Sequence, residues 1–243
     1  VRKIGFWPRF AVCIVKPLMT VLTARDWRGM EHIPQTGGVI LAFNHMSHAD
    51  PFTSAHYVYD AGRWPQFLAK ESVFRVPVVG KILIWCRQTP VSRGTVDAAR
   101  ALDAAITAVR GGDCVVIYPE GTTTREPDLW PMRGKTGVAR LALATGAPVI
   151  PIGQFGAERL FDPRTKKLRI WRTRSAVYAG PAVDLSKWAG ADPTAAVLNE
   201  MTDEIMNHIR VLVGEIRGAT PPPLYTPAAR NSAAAQKPAG AAQ

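Results

Sequence analysis

The stretch Val39-Ile40-Leu41-Ala42-Phe43-Asn44-His45-Met46-Ser47-His48-Ala49-Asp50-Pro51 decides the fold. Its five apolar residues are the right length for a strand buried in a sheet covered on both faces. The polar residues that follow then sit in the loop at the carboxyl end of that strand, where open α/β sheets carry functional groups. In a regular helix, residues five apart lie about 140° from each other around the axis, so His45 and Asp50 can meet only if His45 is in the turn before the next helix. A carboxylate that accepts from one imidazole nitrogen fixes the tautomer and leaves the other nitrogen to take a proton from an alcohol. No serine or cysteine motif stands ready as a covalent nucleophile, so the pattern predicts direct attack by a substrate hydroxyl. A His and an Asp at this spacing also occur in ordinary surface loops, and the rest of the chain has to agree.

Outward from this stretch, short apolar runs alternate with helical patterns. The strand runs are 39–43, 66–69, 114–118 and 149–152, followed by a late hairpin from 168–171 and 176–179. Val96, Ala99, Leu102, Ile106 and Val109 recur at helical spacing before Gly111 and Gly112, and predict a crossover helix. Val138, Leu141, Ala142 and Thr145 predict a second helix from about residue 135, ending at Gly146. The last helix has Asp192 as cap, Pro193 at its first position and a stripe of Val197, Met201, Ile205, Ile209, Leu212 and Ile216. This alternation predicts the α/β class, with one domain built on a largely parallel central sheet flanked by helices. We place that domain at 29–218. The Pro- and Ala-rich stretch 219–243 has little to bury and is expected to be a disordered tail.

The chain has 243 residues, enough for one sizeable core, and 30 Lys and Arg against 19 Asp and Glu give a net charge of +11. Such a balance suits nucleic acid, an anionic membrane surface or phosphate-bearing substrates. No zinc-finger spacing, RNP-like aromatic strand or basic-helix heptad supports nucleic acid. Cys13, Cys86 and Cys114 are odd in number and far apart, which indicates a reducing compartment. At the N-terminus, Phe6, Trp7, Phe10, Ile14, Leu18 and Leu22 offer lipid-compatible surface and Arg2, Lys3, Arg9 and Lys16 offer cations. Arg9, Lys16, Pro8 and Pro17 interrupt the run, so it falls short of the roughly 18 to 20 apolar residues a spanning helix needs. Residues 1–28 therefore read as an amphipathic segment that lies on an anionic membrane surface and does not cross it.

Four blocks in this chain resemble, in order, those of the glycerolipid acyltransferase family that includes lysophosphatidic acid acyltransferases. The first is Asn44-His45 with Asp50 after four intervening residues. The second comprises Lys70, Phe74, Pro77 and Gly80, the third is Tyr118-Pro119-Glu120-Gly121-Thr122, and the fourth is Val149-Ile150-Pro151-Ile152. The resemblance implies that His45 deprotonates the acceptor hydroxyl while Asp50 orients it. It further implies that Glu120, Gly121 and Thr122 hold the acceptor's phosphate, with Lys70 and Arg93 as further substrate-binding candidates. Acyl-CoA or acyl carrier protein would be the co-substrate donor, lysophosphatidic acid the acceptor, with no cofactor and no metal. The place implied is peripheral or monotopic, on the cytoplasmic face of a bacterial cell membrane. The family's usual Arg after Gly-Thr is here Thr123, and Arg125 is the nearest cation, so Arg125 is the expected replacement. Another lysophospholipid or glycerol 3-phosphate is the alternative acceptor. Two other classes compete: a zinc-dependent hydrolase using His45, His48 and Asp50, and a non-enzymatic membrane adaptor using the basic run from Arg159 to Arg174.

Overall fold

Val39, Leu41 and Phe43 pack on one side of the sheet and Ile40 and Ala42 on the other, and all five are fully buried. This is the strict alternation of a strand covered on both faces. The computed structural model describes residues 5–91, 95–170 and 172–227. Along the chain run α1 (Phe6–Leu22), β1 (Thr23–Arg28), β2 (Val39–Phe43), α2 (Asp50–Asp60), β3 (Pro65–Lys70), α3 (Glu71–Phe74), α4 (Val79–Trp85), β4 (Thr89–Val91), α5 (Thr95–Arg110), β5 (Cys114–Ile117), α6 (Gly137–Thr145), β6 (Val149–Phe155), α7 (Ala157–Leu160), β7 (Thr173–Ala179) and α8 (Ala195–Arg217).

The strands form one seven-stranded sheet in the order β1-β7-β6-β2-β5-β3-β4. Every neighbouring pair is parallel except β6 with β7. Helices α5, α6 and α8 cover one face through Ala105, Val109, Val138, Leu141, Leu198, Met201 and Ile205. The other face is covered by α2 through Tyr57 and Val58. The chain is thus the α/β domain expected, with a mostly parallel sheet between helical layers.

Four expectations need correction. Thr23–Arg28 is not part of the N-terminal segment outside the fold: as β1 it pairs in parallel with β7 along its whole length. The late hairpin is absent over 168–170, where Leu168 makes only a single bridge to Phe161 and Ile170 is exposed; Trp171 lies outside the described residues. β7 finds its antiparallel partner in β6 instead. The last helix is capped by Thr194, whose hydroxyl accepts from the Val197 amide, so Asp192 and Pro193 lie ahead of it. Residues 219–227 are not loose tail: Arg210 donates to the carbonyls of Pro221 and Pro222, and Tyr225 bridges Met132.

The stripe expected on the last helix is where α8 meets the sheet, with Met201, Ile205 and Ile209 almost wholly buried. Truncating Ile205 to Ala should leave a cavity there and lower the unfolding free energy by about 2–5 kcal/mol, read from the shift of the urea midpoint at constant slope.

Candidate active site

Because β2 runs parallel between β5 and β6, the carboxyl ends of these three strands bring the loops after them together. Asp50 is the first residue of α2, and His45 lies in the turn before it, as the pairing requires. His45 Nδ1 is 2.8 Å from Asp50 Oδ2. The same oxygen accepts the Met46 amide at 2.6 Å and the Ser47 amide at 2.8 Å. Asp50 is fully buried, and its position at a helix N-terminus favours negative charge. With Oδ2 accepting from Nδ1–H, Nε2 of the neutral ring is left as a proton acceptor. The imidazole lies on the Tyr118 ring, centroids 4.4 Å apart, and Tyr118 is held in turn by Ser54 at 2.7 Å. Burial, opposed by the bond to Ser54, keeps the Tyr118 phenol well above its ordinary pKa, so it stays neutral beside the histidine.

The loop after β5 grips the backbone of His45 from both sides. Glu120 Oε1 accepts the His45 amide at 2.7 Å, and the Thr124 amide donates to the His45 carbonyl at 2.6 Å. Glu120 Oε2 accepts the Met132 amide at 3.1 Å, and the residue is only 2% exposed. Glu120 therefore lies beneath the loop with both carboxyl oxygens on backbone amides, His45 on one and Met132 on the other. Burial pushes its carboxyl up to about 8, against the lowering effect of the His45 and Met132 amides. From the carboxyl end of β6, Gln154 exchanges bonds with Asn44: its amide donates to Oδ1 at 2.8 Å and its side chain to the Asn44 carbonyl at 2.8 Å. Ser47 gives its hydroxyl to the Phe161 carbonyl at 2.6 Å, so it is not poised as a nucleophile.

Gly121 has φ +69°, and a methyl group built there would fall 3.0–3.1 Å from Cδ, Cε and Nζ of Lys135. The Lys135 side chain thus runs along the third block, and its amide donates to the Pro119 carbonyl at 2.8 Å. Thr122 and Thr123 are half-buried in the same turn, whereas Arg125 is exposed and makes no hydrogen bond or ion pair among the described residues. Lys70 ends β3, which parallels β5, so its backbone reaches the same end of the sheet. Arg93 lies outside the described residues. Gly80 of the second block has a packing reason: a Cβ there would fall 1.8 Å from the Phe74 carbonyl oxygen, where α3 meets α4. His48 is exposed, its ring against Phe161, and among the described residues no group of three or more His, Cys, Asp or Glu side chains converges as a metal site.

Sequence reading missed Gln154, Thr124 and Lys135. A polar residue near the end of an apolar strand run was the available signal for the first, which is buried in β6; the other two depend on how a loop folds back.

The family model described as Acyltransferase matches residues 25–154, more than half of the chain. The chain belongs to the acyltransferase family. It is 32% identical over 134 residues to a 1-acyl-sn-glycerol-3-phosphate acyltransferase of Borreliella burgdorferi, covering 55% of this chain and 52% of that protein. To the chloroplastic 1-acyl-sn-glycerol-3-phosphate acyltransferase BAT2 of Brassica napus it is 28% identical, over 56% of this chain and 38% of the relative. It therefore spans about half or less of the curated relatives it matches. The acyltransferase fold is seen also in the crystal structure of the 1-acyl-sn-glycerophosphate (LPA) acyltransferase PlsC from Thermotoga maritima, at TM-score 0.66 and 22% identity, covering 88% of this chain and 80% of that one.

The state of Glu120 has a consequence for stability. Its folded pKa lies above the value near 4.5 of an unperturbed glutamate, so its contribution is full below that value and is lost as pH rises towards 8. Unfolding free energies measured from pH 5 to 8 should accordingly show a downward slope that is flatter in Glu120→Gln; equal slopes would remove Glu120 as its source.

Proposed function

We propose that this protein transfers a fatty acyl group from a thioester, acyl-CoA or acyl carrier protein, to the free hydroxyl of lysophosphatidic acid, giving phosphatidic acid for phospholipid synthesis. The observation that carries this reading is the 2.8 Å contact of His45 Nδ1 with a buried Asp50, which leaves Nε2 as the base. Membership of the acyltransferase family and the activity for which the relatives are named support the choice of reaction. In the step proposed, His45 Nε2 takes the hydroxyl proton as that oxygen attacks the thioester carbonyl. A C–O bond forms, the C–S bond breaks, and the imidazolium returns the proton to the departing thiolate. Asp50 stabilises the imidazolium, and the Tyr118 ring holds the imidazole plane.

For the acceptor's phosphate, Lys135 is favoured over Arg125, because its side chain already lies along Gly121 of the third block. The Gly121–Thr122 turn would add backbone donors, with Lys70, at the same end of the sheet, as a further cation and Arg93 as a candidate from the sequence alone. The membrane is met, in this reading, by α1. Phe6, Phe10, Ile14, Leu18 and Val21 recur every three or four residues and are 44–71% exposed, forming one apolar stripe. Among the described residues no helix is long and apolar enough to cross a membrane. A peripheral or monotopic place on the cytoplasmic face of a bacterial membrane fits this stripe and the surplus of cations.

Purified protein given lysophosphatidic acid and acyl-CoA should form phosphatidic acid, and folded His45→Ala should lose about 10²- to 10⁴-fold in kcat, with Asp50→Asn also strongly impaired. Near-parental turnover in His45→Ala sinks the mechanism. Lys135→Ala should lower kcat/KM for lysophosphatidic acid by roughly 10- to 150-fold, since charge-assisted bonds to phosphate contribute about 1.5–3 kcal/mol. Arg125→Ala should change it little; the reverse pattern returns the phosphate to Arg125.

A further inference from the structure

On the α8 side of the sheet, beyond the loop that holds His45, Phe155, Arg159, Arg174, Ala176, Ile216 and Arg217 enclose a cavity of about 200 Å³. Its lining contains three guanidinium groups and no carboxylate. They come from three elements: Arg159 from α7, Arg174 from the start of β7 and Arg217 from the last turn of α8. Such convergence does not follow from chain proximity; Glu158 and Asp26 each offset one of the three charges from outside the lining, and the surplus of cations facing the cavity favours an anion in it.

Each guanidinium is held in place. Arg217 lies 3.9 Å from the Trp130 ring centroid and 4.9 Å from that of Phe155, and its Nη1 donates to the Asp128 carbonyl at 2.9 Å. Arg159 lies over the other part of the same aromatic floor, 5.9 Å from the Phe155 centroid, with Glu158 3.6 Å from its Nε. Arg174 is anchored from outside the cavity by Asp26 and Tyr178. Burial lowers the Arg217 pKa, opposed by the charges of Glu126, Asp128 and Glu158, so an anion in the cavity would relieve a desolvated cation. Planar forks fixed by stacking keep their remaining N–H donors free for the oxygens of a phosphate.

The cavity also lies at the working end of the sheet. Phe155 directly follows Gln154, which holds Asn44, and α7 leads to Phe161, whose carbonyl receives the Ser47 hydroxyl.

We propose that Arg159, Arg174 and Arg217 form a phosphate-binding pocket, distinct from the acceptor-phosphate contact at Gly121 and Lys135. The group bound is a phosphate carried to this end of the sheet either by the CoA part of an acyl donor or by an anionic lipid headgroup. The CoA source rests on the reaction proposed above; the pocket itself does not.

Binding decides it without turnover. The intact protein, Arg159→Glu, Arg217→Gln and, as a control for diffuse charge, Lys167→Glu on the exposed neighbouring loop are compared. Probes are CoA against pantetheine, by calorimetry, and vesicles of phosphatidylcholine with and without phosphatidylglycerol, by sedimentation. Arg159→Glu, whose side chain is 59% exposed and lies outside the core, keeps the test valid if Arg217→Gln fails to fold. A loss of roughly 10-fold or more for CoA, with pantetheine unaffected, assigns the donor's phosphates. A matching loss for phosphatidylglycerol vesicles alone assigns the lipid headgroup. The pocket is overturned if Arg159→Glu binds both probes like the parent, or if Lys167→Glu loses as much as it does. Parent protein that binds CoA through these arginines yet transfers no acyl group would refute the reaction and leave the pocket standing.

Discussion

One carboxylate oxygen organises this molecule's chemistry. Asp50 Oδ2 receives the His45 ring nitrogen and the amides of Met46 and Ser47, all within 2.6–2.8 Å. Burying a carboxylate is costly without donors, and here the donors to Oδ2 come from the loop that carries His45. The backbone carbonyl of Asp50 is used too, accepting the hydroxyls of Thr53 and Ser54. The tautomer of the imidazole, the turn that carries it and the first turn of α2 are therefore one hydrogen-bonded unit. A change at Asp50 alters all three at once.

This unit is fixed to the sheet by its neighbours on either side. Gln154 binds it through Asn44 from the strand on one side, while Glu120 and Thr124 hold the His45 backbone from the loop on the other. The central parallel strands thus do more than form a core. Their register determines which loop residues arrive at the histidine, and the flat packing of α5, α6 and α8 behind them keeps that register from drifting.

What could be read from sequence followed from periodicity and buried runs. The strands at 39–43 and 114–117, the crossover helix and the apolar stripe of α8 all appear where their patterns place them. β1 was not legible because Thr23-Ala24-Arg25-Asp26-Trp27-Arg28 is an edge strand rich in charge, with no alternation to announce it. The expected hairpin failed because Leu168 and Ile170 looked like strand residues, but apolar identity does not supply a pairing partner. At the site, His45 and Asp50 were legible through spacing, since a turn followed by a helix N-terminus is a local matter. The contacts of Glu120 with the His45 and Met132 amides were not legible, because a motif names a residue without saying which way its oxygens turn. Lys135 belongs to no local pattern with Gly121, and only folding puts it there.

Thr23 ends α1 and begins β1: it is the residue after the last helical turn, its hydroxyl donates to the Met19 carbonyl, and its backbone pairs with Thr173. No linker separates the helix from the sheet, and Lys16 is further tied to Asp60 on α2. The first helix therefore behaves as a rigid handle. Whatever surface its exposed stripe rests on, the tilt of that helix is transmitted without slack to the edge strand and across the hydrogen-bonded ladder to His45. The attitude of the His45 ring towards such a surface is in this way a mechanical property of a single buried threonine junction.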